Sequence, residues 1–130
     1  MKLRINRNSI RLRLGQSDVY RLAINGAVEE FTIFGGGRGR RLGYEIHATR
    51  DETVVRASFD GRRIVVHVPA EMITRWAGSD QVGIHAMQPT DQGELTVLIE
   101  KDFACIDGDS AESQEDAFPN PALADGTRTC

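Results

Sequence analysis

Between Val54 and Trp76 the apolar and polar positions change rhythm three times. Val55, Ala57 and Phe59 alternate with more polar neighbours, Asp60-Gly61 offers a hairpin turn, and Ile64 to Val68 returns as a second strand. Pro69 stands where a first helical position favours proline, and Met72, Ile73 and Trp76 form a short apolar stripe that stops at Gly78. The unit is strand, strand, helix.

The same unit opens the chain. Leu3 and Ile5 alternate with Lys2 and Arg4, a polar turn follows at 6–8, and Ile10, Leu12 and Leu14 alternate with Arg11 and Arg13. A helix then starts at a Gly15 or Ser17 cap, keeps Asp18 in its first turn, turns Val19, Leu22 and Ala23 inward, and ends at Asn25-Gly26. Val28 to Phe34 and Leu42 to Thr49 complete the first half, and Val82 to Met87 and Leu95 to Lys101 complete the second.

The order strand-strand-helix-strand-strand thus reads twice, over 2–49 and 54–101. The apolar positions match at offsets of 52 to 54 residues: Leu14 with Val68, Val19 with Met72, Val28 with Val82, and Ile46 with Leu98. Four short strands and one helix bury too little to stand alone, so the halves must share one core. The expected fold is α+β, with about eight mostly antiparallel strands and two short helices. The sheet either curls into a barrel or splits into two layers. Its core comprises Leu3, Ile5, Ile10, Leu12, Leu14, Phe31, Ile33, Tyr44, Ile46, Phe59, Ile64, Val66, Val82, Ile84, Leu95, Val97 and Ile99.

After residue 103 the periodicity ends. Residues 1–103 read as one compact domain and 104–130 as an acidic, partly flexible tail. Within the tail, Asp116, Phe118, Pro119, Asn120 and Pro121 place an aromatic between an acidic run and two prolines. Such a stiff, extended segment docks in a groove, either on a protein partner or on its own body.

Thirteen glycines and a low aromatic fraction favour short elements joined by many turns over a helical bundle. The formal charge of -3 conceals a split: 15 Lys/Arg face 13 Asp/Glu in 1–102, while 103–130 hold Arg128 against six acidic residues. No run is long enough to span a membrane, and MKLRINRNSI has no apolar stretch behind its basic residues, so the expected setting is the cytoplasm. In that compartment Cys105 and Cys130 are free thiols, or else a bridge that pins the tail.

The stretches NSIRLRL (8–14), Gln16-Ser17-Asp18-Val19, Glu100 to Cys105 and Phe118 to Pro121 together resemble a bacterial family of short proteins of unknown function. Its members open with MKLRI-x-x-NSIR-x-RL and close with KDF-x-C, an acidic spacer and FPNP. The resemblance spans nearly the whole chain and implies one compact domain with a purposeful tail. It brings no activity, substrate or cofactor. Where members carry Thr at the start of the first helix, Gly15 stands here, a weaker cap.

Three constellations bear on chemistry. The loop Gly35 to Arg41 is rich in glycine and arginine, but strands flank it and no Lys-Ser/Thr follows, so it lacks the strand-to-helix setting of a phosphate cradle. Arg11, Arg13, Arg38, Arg40 and Arg41 remain candidates for holding an anion. RNA is disfavoured, because no aromatic platform accompanies them and the acidic tail competes. His47, His67 and His85, with Cys105 or Glu45, are weak metal-ligand candidates, since none are spaced as a local pair. No G-x-S-x-G elbow, H-E-x-x-H helix or cysteine–histidine pair supports an enzyme, and no cofactor is implied.

The expected function is therefore a non-enzymatic binding or accessory module. An anion- or phosphate-binding protein, or an enzyme acting on nucleotide, polyphosphate or RNA, is the alternative, and a metal-binding protein the third reading.

Overall fold

A computed structural model describes residues 1–37, 39–103 and 116–119. Arg38, Cys105, Asn120, Pro121, Cys130 and most of the acidic segment lie outside the described residues. The elements follow the expected order: β1 (Lys2–Asn6), β2 (Ser9–Leu14), α1 (Gln16–Asn25), β3 (Ala27–Ile33), β4 (Arg41–Thr49), β5 (Arg56–Phe59), β6 (Arg63–Pro69), α2 (Ala70–Ala77), β7 (Gly83–Thr90) and β8 (Gly93–Lys101).

The strands form two layers and no closed barrel. The first sheet runs β1-β2-β8-β7 and the second β3-β4-β6-β5. Each half of the chain gives one hairpin to each sheet, so neither sheet is complete within a half. Hairpin partners are antiparallel, but the two central pairings, β2 with β8 and β4 with β6, are parallel. Local turn chemistry fixes pairing only inside a hairpin. The central pairings join hairpins from different halves and set the most buried strands side by side, leaving β1, β3, β5 and β7 as edges. Pro89 sits on the edge strand β7, where a missing N–H costs no ladder bond.

If the halves are superposed by their pairings, the positions that coincide differ by one or two residues from those of the expected alignment. Leu12 lies opposite Ile99, and Val66 opposite Ile46, which matches Ile46 with Ile99 and not with Leu98. Val28 opposite Ile46 and Ile84 opposite Ile99 then match Val28 with Ile84. In the helices, Val19 and Leu22 match Ile73 and Trp76, the buried pair of α2, where Met72 is half-buried.

One cluster of buried side chains joins both sheets and both helices, with Leu12, Leu14, Leu22, Ile46, Val66, Val68, Trp76 and Ile99 fully enclosed. Trp76 satisfies its indole by donating to Val82 O at 3.0 Å. Phe31 and Ile33, expected inside, face out. Burial of Val28 sets the phase of β3, so every second residue from Glu29 points to the outer face. Val82 precedes β7 and is exposed, and Ala23 is exposed on α1. Ile5 and Phe59 keep inward parity but lie at an open end, 58% and 62% exposed.

The helices follow β2 and β6 directly, pack against each other and close one end of the sandwich. The edges are stitched by side chains. The Gln88 amide accepts from Ala57 N at 2.7 Å and donates to Ala57 O at 2.9 Å, joining β7 to β5 as a strand would. Across the other seam the Met1 ammonium reaches Glu30 on β3 at 2.6 Å and Asp18 on α1 at 2.7 Å. Burial lowers the pKa of this amine, but both carboxylates outweigh that and hold it above the usual range.

A candidate anion-binding cleft on the second sheet

The parallel pairing of β4 with β6 brings two turns together that are distant in sequence. Asp60 closes the β5–β6 turn by accepting from the backbone of Arg62 and Arg63, each at 2.8 Å. Gly43 N donates to Arg62 O at 2.9 Å, tying that turn to the start of β4. The result is a cleft of about 400 Å³ lined by Glu29, Phe31, Gly39, Arg41, Gly43, Arg62 and Arg63.

Its floor depends on a glycine. A Cβ at Gly43 would stand 2.9 Å from the ring of Phe31, its cross-strand neighbour. With no side chain there, the ring lies over the strand. The Arg41 guanidinium stacks on that ring at 4.2 Å.

The three guanidiniums are not equivalent. Arg63 is held by Glu45 and approaches Glu29 at 3.7 Å. Arg41 and Arg62 make no ion pair among the described residues. Glu45 is buried on the outer face, between Arg63 and His47, whose Nε2 is 3.2 Å from Oε1. Burial pushes the Glu45 pKa up, but hydrogen bonding with Arg63 and Glu29 and the charges of Arg63 and His47 bring it below the ordinary carboxylate range.

The anion candidates read from the sequence do not form one site. Arg11 pairs with Glu100 at 2.7 Å and Arg13 approaches Asp102 at 3.4 Å, both on the outer face of the first sheet. Arg40 and Arg41 belong to the β3–β4 region of the second sheet, and Arg38 lies outside the described residues. The cleft's other two arginines, Arg62 and Arg63, sequence reasoning passed over. Their signal was present in Asp60-Gly61-Arg62-Arg63, an arginine-bearing turn like the Gly35 to Arg41 loop. Only the unforeseen parallel pairing shows that the two turns are neighbours.

The histidines are likewise separated. His47 and His67 face each other across β4 and β6, ring centroids 6.0 Å apart, while His85 is on β7 of the other sheet. Among the described residues no group of three side chains is placed to hold a metal ion. Cys105 lies outside the described residues.

Of the tail candidates, Asp116 and Phe118 are found against the chain's own body, and Pro119 is exposed. Asp116 receives the first N–H groups of α1: Gln16 N donates to its carbonyl at 2.9 Å, and Ser17 N and Oγ donate to its carboxylate at 3.2 and 2.6 Å. Gln16 Nε2 donates to Ala117 O at 3.0 Å. Phe118 N donates to Asp102 O at 2.7 Å, and its ring meets Phe103 and the Lys101 ammonium. Gly15 provides no side-chain cap, and a Cβ there would stand 2.8 Å from Asp116 O. The weak local cap is replaced by a strong distant one.

No helix among the described residues is long and apolar enough to cross a membrane. No curated protein and no solved structure matches the chain. A family model matches residues 1–122, and the chain therefore belongs to a family of unknown function, DUF7009.

Proposed function

We propose that this domain is a non-enzymatic binding module and that its contact is the Arg41–Arg62 cleft, which takes a phosphate-type anion. The reading rests on one observation: two guanidiniums line a single concavity without a carboxylate partner among the described residues, whereas Arg11, Arg13, Arg56 and Arg63 are each matched to one. A planar fork of N–H donors suits phosphate oxygens, and Phe31 limits the freedom Arg41 must lose on binding. The polar side chains of the lining are three arginines and Glu29, with no serine, cysteine or histidine to act as a nucleophile, a composition suited to recognition of an anion. The matching pairings of the two halves support reading them as repeats of one unit, with the cleft formed where the halves meet.

Calorimetric titration with inorganic pyrophosphate at low and at physiological salt tests this. Binding should weaken with salt and fall about tenfold in Arg41→Ala or Arg62→Ala, for loss of a charged hydrogen bond. Arg11→Ala should leave it unchanged. No binding at low salt, or equal loss in all three variants, would sink the proposal.

A further inference from the structure

The sandwich is closed at one end by helices and open at the other. Along β1 and β2 the inward side chains run from Leu12, fully enclosed, to Ile5, 58% exposed; along β6 and β5 they run from Val66, fully enclosed, to Phe59, 62% exposed. This end is a cavity of about 460 Å³ walled by Ile5, Ile10, Leu42, Phe59, Ile64 and Leu95, with Asn8 and Ser58 at its margin. That volume and that mostly apolar lining with few polar groups are usual for a small-molecule site.

We infer that this mouth binds the aliphatic chain of an anionic amphiphile. Size selects the occupant. A helix with its side chains is about 10–12 Å across, so a partner helix, of which two turns alone exceed the 460 Å³ here, does not enter. A single methylene chain, needing about 4 Å of carbon–carbon contact on each side, does. Charge selects the head group. Arg62 lies in the turn between Phe59 and Ile64, which wall the mouth, and Arg41 directly precedes Leu42, so the cleft's arginines border the slot from outside. The head-group contact rests on the proposed function; the chain-binding slot does not.

Titration of the full chain with decanoate, octanoate and decanol, each kept below its aggregation concentration, tests the inference. Decanoate should bind one to one, and affinity should drop about fourfold for each methylene removed. Ile5→Asp should reduce binding tenfold or more without moving the unfolding transition, because that side chain is already largely in water. Phe59→Asp should do the same and guards against one variant misfolding. Arg41→Ala with Arg62→Ala should weaken decanoate and spare decanol. If neither decanoate nor decanol binds, or both bind equally well to Ile5→Asp and Phe59→Asp, the inference is overturned. If decanol matches decanoate and the arginine variants change nothing, the slot stands and the anion cleft falls.

Discussion

Gly15 and Asp116 show how much one missing Cβ can decide. The glycine leaves α1 without its own cap and opens the space in which a carboxylate 99 positions beyond Ser17 supplies one. Gly15→Ala and Asp116→Ala should each cost about 1 kcal/mol, the usual worth of an N-cap. The double variant should cost little more than either, since both remove the same contact. Urea denaturation of the four proteins checks this, and full additivity would show that the residues act separately. Local reading of the sequence offered Gly15 or Ser17 as the cap, because a carboxylate arriving from the tail leaves no trace near residue 15. Trp76 was fully legible, an aromatic in phase with Ile73. It is the chain's one tryptophan and is fully enclosed, so native emission should be blue-shifted relative to the denatured chain. Trp76→Ala should cost about 3–5 kcal/mol, a large share of a typical domain's stability, as measured by the midpoint of thermal unfolding.

The hairpins and helices were legible because each is written in a local rhythm ended by glycine, asparagine or aspartate. Their partners across the sheets were not, because nothing near Ser9 announces Thr96 and nothing near Gly43 announces Arg63. The candidate cleft inherits this: Arg41 was visible as a candidate, while Arg62 and Arg63 become its neighbours only once β4 and β6 run parallel. The same strand carries a pH-sensitive contact. The Glu45 pKa is lower in the folded protein than in the unfolded chain, so its contribution is fully present above the ordinary carboxylate value and is lost as pH falls through the depressed one. Glu45→Gln should therefore flatten the acid limb of a stability–pH profile; a limb of unchanged steepness would count against it. At the β5–β7 seam, Gln88→Leu removes both partners of the Ala57 backbone and should cost about 1–3 kcal/mol, with faster hydrogen exchange at Ala57 as the local readout.

For the whole molecule, the decisive fact is that each half donates one hairpin to each sheet. A lone half holds two hairpins and one helix with their apolar faces uncovered, and isolated hairpins are marginal in water. Residues 1–52 made alone should show no cooperative unfolding, whereas mixing them with 53–130 should restore the native circular dichroism spectrum. A cooperative transition in the isolated piece would refute a shared core. Synthesis on the ribosome meets the same geometry in time. β2 emerges early, but its parallel neighbour is β8, with Ser9 opposite Thr96, so a strand with one apolar face must wait for a partner 87 positions away before its second ladder can close. Pairings so far apart in sequence form slowly, and the nascent chain is left with a bare edge at the stage when it is most exposed to wrong partners.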